Sequence, residues 1–323
     1  MNAEDQATQR ELRERVRALE SELRELRQQV ESDSPGHDIR ELEKMERRWR
    51  KYLLQGVRGF APTMAVNLHG TLYFFDTSDP KSARTLFVEQ NVRRDQIHVR
   101  RAANALDSFL GTRPRELFLD VGAHIGTTTL YAVRHLGFSK AVAIEPSFEN
   151  MRLLRLSVFA NGLEGVVRTV HSAISDQQGV AGLDVGGLGS EYHRLNVGEG
   201  ADLQQLVATT TLDALAEEGV YAAESVDLLW MDIEGFELRA LEGASSLRER
   251  GTPTVIEMCP EKLERTSSAD RVHELIGAHY THALDLGKDR DSRFRPVAEI
   301  DSILAQYEGH CVDVLLCRQP AVA

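Results

Sequence analysis

Five segments of the chain place an acid, or a serine with an acid, at or just behind a short apolar run. They are Asp120 in "FLDVGAHIG", Glu145 in "AVAIEP", Ser175 and Asp176 in "AISD", Asp232 and Glu234 in "LLWMDIEGF", and Glu257 in "TVIEM". Short apolar runs bounded by polar residues read as strands buried in a parallel sheet, and ligands of such sheets collect at the carboxyl ends of the strands. An acid standing there can hold a cation, accept hydrogen bonds from hydroxyls, or take a proton from one. An N-cap in front of a helix explains any single one of these residues equally well. The ordered set points to a site.

The first segment shows what kind of ligand suits it. Asp120, Gly122 and Gly126 have the spacing Asp-x-Gly-x-x-x-Gly, which lacks the GxGxxG of a dinucleotide site and the GK[ST] of a phosphate loop. The two glycines, having no Cβ, are expected to let a ligand approach the backbone closely. A carboxylate in this place suits a positively charged ligand. S-adenosylmethionine carries an ammonium and a sulfonium, so Asp120 is expected to pair with its amino-acid end, directly or through water. Glu145 is then expected to accept both ribose hydroxyls and Ser175 with Asp176 to meet the adenine edge. In an extended segment Asp232 and Glu234 would project on one face, because side chains repeat every two residues along a strand.

These residues need elements to position them. "GTTTLYAVRHL" and "PSFENMRLLRLSVFANGL" have helical spacing behind the first two strands, "VVRTVHSAISD" reads as a third strand running into Ser175 and Asp176, and Glu237 opens a helix carrying Leu238 and Leu241. "HALDL" and "CVDVLLC" add two late strands, with the helical "EIDSILAQY" before the last. Strands alternating with helices predict an α/β fold around a mostly parallel sheet. Upstream, "MAVNLHG" and "LYFFD" read as short strands, "TSDPKS" as a turn and "RRAANALDSFL" as a helix. The arginines of "NVRRDQIHVRR" read as a solvated face or as ion-paired.

At the N-terminus, Leu12, Val16, Leu19, Leu23, Leu26 and Val30 recur in alternating steps of four and three, the pattern of a coiled-coil seam. Self-association through this helix is the expectation, the other reading being one amphipathic helix lying on its own chain. "SDSPGHD" stops the helix, and a second begins behind Asp38. The expected domains are therefore a coiled-coil helix over 1–32, a helical and β lead-in over 33–110 as a substrate-side cap, and the main α/β domain over 111–323.

Composition limits the function. The 323 residues are 42% hydrophobic and carry a formal charge of -12; enough core is available, and a general nucleic-acid binder is excluded for want of surplus cations. A local basic patch remains compatible with that charge. The three cysteines, Cys259, Cys311 and Cys317, have no metal or disulfide spacing and read as core thiols of a reducing compartment. No leader-like or membrane-spanning run is seen, so a cytoplasmic protein is expected.

In the order "FLDVGAHIG", "AIEPSFENMRLLRLSVFANGL", "AISD", "TTLDAL", "MDIEGFELRALEGA" and "VIEM", covering roughly Leu117 to Pro260, the chain resembles the FkbM family of S-adenosylmethionine-dependent methyltransferases. The resemblance implies the Rossmann-like class I methyltransferase fold, with a twisted seven-stranded sheet containing one antiparallel strand. It implies O-methylation of a hydroxyl on a sugar, glycan or natural product. By position, Asp120, Gly122 and Gly126 match the family's cofactor loop, Glu145 its ribose acid, Ser175 and Asp176 its adenine-side loop, and Asp232 and Glu234 its signature acids. Two positions depart from the pattern: His124 stands where the family usually has Asn, and is read as a structural or cofactor-contacting residue, and Trp230 stands where it often has Lys.

Methyl transfer to an alcohol requires alignment and removal of the hydroxyl proton. Asp232 and Glu234 are the first candidates for the base, and His193 in "GLGSEYHRLN" is a further one, since imidazole titrates near neutrality. Mg²⁺ held by Asp232, Glu234 and Glu257 is the other way to acidify a hydroxyl; the reading adopted here is without metal. The competing class is an inactive cofactor-binding module that oligomerises through the coiled coil.

Overall fold

The computed structural model describes residues 3–32, 39–90, 94–184, 194–196, 205–259, 269–287 and 293–319. The chain divides into two compact units, Met1–Arg93 and Arg94–Ala323, so the helix over 94–110 groups with the sheet rather than with the lead-in. No helix among the described residues is long and apolar enough to cross a membrane.

In the first unit, α1 (Ala3–Ser32) and α2 (Ile39–Val57) pack on each other. Arg27 pairs with Glu46 at 2.5 Å and the Arg15 guanidinium lies over the Tyr52 ring, which sets the two helices antiparallel. Leu19 and Leu23 of the heptad seam are buried. The seam thus meets α2 of the same chain over those positions. The predicted linker at 33–38 lies outside the described residues. β1 (Thr63–Leu68) and β2 (Thr71–Asp76) form an antiparallel hairpin with Leu68 opposite Thr71. Its two turn residues, His69 and Gly70, both have positive φ, as a two-residue turn matched to the strand twist requires. Asp79 caps the next turn through the amides of Lys81 and Ser82, and a π-helical turn, Ala83–Val88, follows.

The second unit begins with α3 (Arg94–Leu110) and builds one large sheet. Its central strands are β3 (Arg115–Val121), followed by α4 (Thr127–His135), β4 (Phe138–Ile144), followed by α5 (Phe148–Ala160), and β5 (Val167–Val170). A smaller sheet then forms from β6 (Ala173–Ile174), β7 (Gly179–Asp184), β8 (Arg194–Asn196) and β9 (Gln205–Thr210). The chain returns to the large sheet with β10 (Val226–Met231), β11 (Thr254–Met258), β12 (His282–Asp285), β13 (Arg295–Pro296) and β14 (Val312–Cys317). The order across it is β13-β12-β14-β11-β10-β3-β4-β5. Pairing from β5 to β11 is parallel, and β14 runs antiparallel to both β11 and β12. The α/β expectation holds. The sheet has eight strands rather than seven, because Arg295 and Pro296 add a two-residue antiparallel edge to β12.

The residues on the two faces of β3 and β10 enter different cores: Leu119, Val121, Leu229 and Met231 join one cluster, Phe118, Leu228 and Trp230 the other. Both faces are covered, as a parallel sheet needs. Two expectations are corrected here. The third strand does not run on into Ser175, since the chain leaves the large sheet after Val170 and Ala173–Ile174 pair with β9 instead. Cys259 and Cys311 are not free thiols but a disulfide. The register of β11 on β14, with Met258 opposite Val312, brings Cys259 to Cys311 across 52 positions of sequence, which no local spacing announces. Cys317 alone is a buried free thiol.

Candidate functional site

The strand order reverses at β3, whose neighbours are β4 on one side and β10 on the other. Such a reversal opens a crevice outside the carboxyl ends of the strands. The chain places Asp120, Glu145 and Asp232 at the ends of β3, β4 and β10 respectively.

The loop after β3 is built by glycine at a position where nothing else fits. Gly122 has φ +88, and a Cβ there would stand 2.0 Å from the main-chain oxygen of Asp232. Gly126, at φ +87, would press on Leu154 Cδ1 at 2.5 Å. The expected room for a ligand is therefore taken by the protein itself, and both glycines serve loop closure. The amides of Gly122 and Ala123 donate to the Ile144 carbonyl, and that of Asp232 donates to Val121, so the three strand ends are tied by their backbones. His124 adopts φ +52, a left-handed conformation in which Asn and His are enriched; this explains an imidazole at a position the resemblance usually fills with Asn.

Asp120 is buried under the first turns of α4, where Thr129 Oγ1 donates to it at 2.5 Å. Burial pushes its carboxyl up to about 7, Asp95 and Glu145 adding to the rise and the Thr129 bond opposing it. Glu145 is buried as well and ties the loops together: its Oε2 accepts from the His124 amide, its Oε1 from the Ser147 amide and from Asn150 Nδ2. Burial lifts it to about 7 against those three bonds. Ser147 also caps α5. Ser175, buried behind β6, donates to Asp176 at 2.8 Å, and Asp176 meets Arg239 at 3.5 Å.

The segment after β10 differs from the extended one expected. β10 ends at Met231, and Glu234 at φ +58 with Gly235 at φ +102 makes a left-handed turn. The strand alternation that was to align Asp232 with Glu234 does not reach Glu234. The two carboxylates converge all the same: Asp232, Glu234 and Glu257 have ligand oxygens within 4.8 Å of one another, an all-oxygen set of the type hard divalent cations take. Glu257 with the sulfurs of Cys259 and Cys311 forms a second such group, whose sulfurs are spent in the disulfide. Asp232 is only partly exposed, and enclosure by protein raises its carboxyl well above the ordinary range, with Glu257, Asp95, Asp313 and Glu234 raising it further. Trp230 is a core residue of the sheet. His193 lies outside the described residues.

Five residues of this region carried no functional signal in the sequence. Asp95, in the first turn of α3, acts on both Asp120 and Asp232, and Gln96 beside it donates to the Thr127 carbonyl. His98 Nδ1 meets Asp313 Oδ2 in a buried pair; Asp313 stands opposite Glu257 in the β11–β14 register. Glu237 accepts from the amides of Ile233 and Gly235 and so holds the turn that presents Asp232 and Glu234.

Solved structures similar to this chain share little of its sequence. The methyltransferase FkbM from Methylobacillus flagellatus shares 15% identity over 74% of this chain and 55% of its own, with a TM-score of 0.42; the chain thus spans little more than half of that protein's length. TYW2 from Pyrococcus horikoshii, solved with MeSAdo, shares 16% identity over 85% and 83% of the two chains at a TM-score of 0.39. The O-methyltransferase from Bacillus cereus, solved with SAH, shares 14% over 70% and 80% at 0.36. No curated protein matches the chain. The family model described as the methyltransferase FkbM domain matches residues 120–294, which begin at Asp120 and take in every strand-end acid described above. That match covers more than half of the 323 residues, and the chain belongs to the FkbM methyltransferase domain family.

Proposed function

We propose that the protein is an S-adenosylmethionine-dependent O-methyltransferase acting on a hydroxyl of a sugar, glycan or natural product. The observation that carries this reading is the row of three acids, Asp120, Glu145 and Asp232, at the ends of adjacent parallel strands around the sheet's reversal point. The residues fit the cofactor on their own chemistry. Asp120 and Glu145 are buried carboxyls pushed up to about 7 with no cation among the groups that shift them, so a ligand bringing an ammonium and hydroxyl donors relieves what burial costs them.

Bound there, S-adenosylmethionine supplies an electrophilic methyl group and, in its sulfonium, the leaving group. Asp120 pairs with the ammonium of its amino-acid end, Glu145 accepts from the ribose hydroxyls, and Ser175 with Asp176 meets the adenine edge. His124 and the Gly122–Gly126 loop hold that surface in shape. Asp232, raised well above the ordinary carboxyl range, and Glu234 beside it are the groups to accept the acceptor's hydroxyl proton, since their carboxylate oxygens converge there. Alignment of the reacting groups contributes the larger share, on the order of 7–11 kcal/mol.

Methyl transfer is proposed without metal; were Mg²⁺ to bind, the Asp232, Glu234 and Glu257 oxygens would hold it, its role being to acidify the acceptor hydroxyl. Self-association through α1 enters the proposal as pairing of whole α1–α2 hairpins, since Leu19 and Leu23 are already buried. A lower solution mass on removing residues 1–32 supports it, and an unchanged mass removes it.

The deciding experiment is calorimetric titration with S-adenosylmethionine and S-adenosylhomocysteine, with Mg²⁺ and after EDTA, on the parent and on Asp120→Ala and Glu145→Ala. Saturable binding by the parent and at least tenfold weaker binding by both variants is expected. Undiminished binding by either variant overturns the site; binding without turnover on any sugar-bearing acceptor favours an inactive cofactor-binding module.

A further inference from the structure

A second concave site lies wholly within the first unit. Lys44, Arg47, Arg48, Lys51, Gln55 and Arg58 recur every one to four residues along α2 and just past its end, and with Leu54 they form one wall of a cavity of about 640 Å³. Pro80, Arg84, Val88 and Glu89, from the π-helical turn and its flanks, form the other. Six cationic side chains and a single carboxylate line the cavity, in a chain whose formal charge is -12. This is the local basic patch that the overall charge left open.

The nearby acids neutralise only part of it. Glu41 pairs with Lys44 and Glu89 with Arg84, while Glu46 is taken by Arg27 and Arg50. Arg58 is fixed by donating Nε to the Thr77 carbonyl, and Arg48 lies over the Tyr52 ring. Arg47, Arg48 and Lys51 have no carboxylate partner among the described residues. Like charges held around one hollow repel unless an anion joins them. Guanidinium forks match phosphate oxygens in a bidentate manner, and Lys adds a point charge. The volume falls in the range of roughly 300–1,000 Å³ typical of small-molecule sites, and the hollow shape suits a compact anion better than a flat charged surface. We propose that this cavity binds a diphosphate-bearing small molecule, with Arg47, Arg48 and Lys51 as its principal contacts and Arg58 and Arg84 closing the two ends. The inference is independent of the carboxylate crevice and of methyl transfer.

The test uses the full chain and inorganic pyrophosphate as the probe, by calorimetry at low and at physiological salt. Saturable 1:1 binding that weakens as salt rises is expected. Arg47→Ala and Lys51→Ala should each weaken it about tenfold and the double variant abolish it, with helicity by circular dichroism unchanged. Arg47→Lys, keeping the charge and losing the fork, should fall between. Lys140→Glu, on an exposed part of β4, should match the parent. Absence of pyrophosphate binding, or equal weakening by Lys140→Glu, overturns the proposal. Co-sedimentation with phosphatidylserine vesicles in the absence of pyrophosphate binding overturns it too, in favour of a membrane surface.

Discussion

The main-chain oxygen of Asp232 occupies the space that a β-carbon on residue 122 would need, 2.0 Å from it. Gly122 is thus what lets the ends of β3 and β10 close on each other, and it does so at φ +88, where an L side chain is itself strained. Gly122→Ala should cost about 2–4 kcal/mol from overpacking and backbone strain together, lowering Tm by roughly 5–15 °C. Gly126→Ala meets only the flexible tip of Leu154 and should cost less. Gly165, with open space around it, should tolerate Ala. Thermal melts of the three variants check that order, and a Gly122→Ala melt equal to that of Gly165→Ala refutes it.

That relationship also separates what the sequence shows from what it hides. Strand, turn and helix around Asp120 and Glu145 are local patterns, and each formed where its apolar spacing put it. The use of Gly122 depends on Asp232, over a hundred residues away, so the sequence shows a glycine without showing what it makes room for. Glu234 illustrates a different failure: alternation assumes an extended chain, but β10 stops at Met231 and the chain enters a left-handed turn at Glu234 and Gly235. Ser175 follows β6 of the smaller sheet, and the two-residue break at His171 and Ser172 is too weak a signal to end a strand on paper. His98 with Asp313, and Cys259 with Cys311, join elements whose adjacency only the sheet order creates.

The buried acids make the ligand-free protein less stable at neutral than at mildly acidic pH. Asp120 and Glu145 sit near 7 in the folded chain, against ordinary values of 3.8 and 4.5. Between about pH 4 and 7 the folded form therefore keeps protons that the unfolded form has released, and stability falls as pH rises through that window before levelling off. Asp120→Asn removes one of these groups and should gain stability relative to the parent at pH 8, by a few degrees in Tm, while losing affinity for S-adenosylmethionine. The gain should vanish near pH 4. Parallel melts of parent and variant at the two pH values check this, and a gain of equal size at both would remove ionisation as its cause.

The disulfide closes a long loop and should contribute accordingly. Cys259 and Cys311 are 52 residues apart, for which loop closure in the unfolded chain gives about 4 kcal/mol. Reduction, or Cys259→Ser with Cys311→Ser, should lower Tm by several degrees and loosen the end of the β11–β14 pair that carries Glu257 and Asp313. Burial pushes the Cys317 thiol up, so it should resist alkylation in the native protein. Denatured without reductant, the chain should show one reactive thiol, and three after reduction. Three thiols before reduction would show that the pair does not form in the isolated protein.

His98 and Asp313 join the first turns of α3 to β14, and both are buried. Removing the imidazole leaves the buried Asp313 carboxyl without its ring partner, beside Asp232 and, across the register, Glu257. Leaving a buried polar group without its hydrogen-bond partner typically costs about 1–3 kcal/mol, so His98→Leu should be among the more damaging substitutions in the second unit. Asp313→Asn in the same background removes the stranded carboxyl and should recover part of that loss, although it deletes a second native group. A double-mutant cycle by urea unfolding measures the coupling. Additive effects would mean that His98 stabilises the fold by packing alone, and a favourable coupling above about 1 kcal/mol would show that the pair itself anchors α3 beside the strand-end acids.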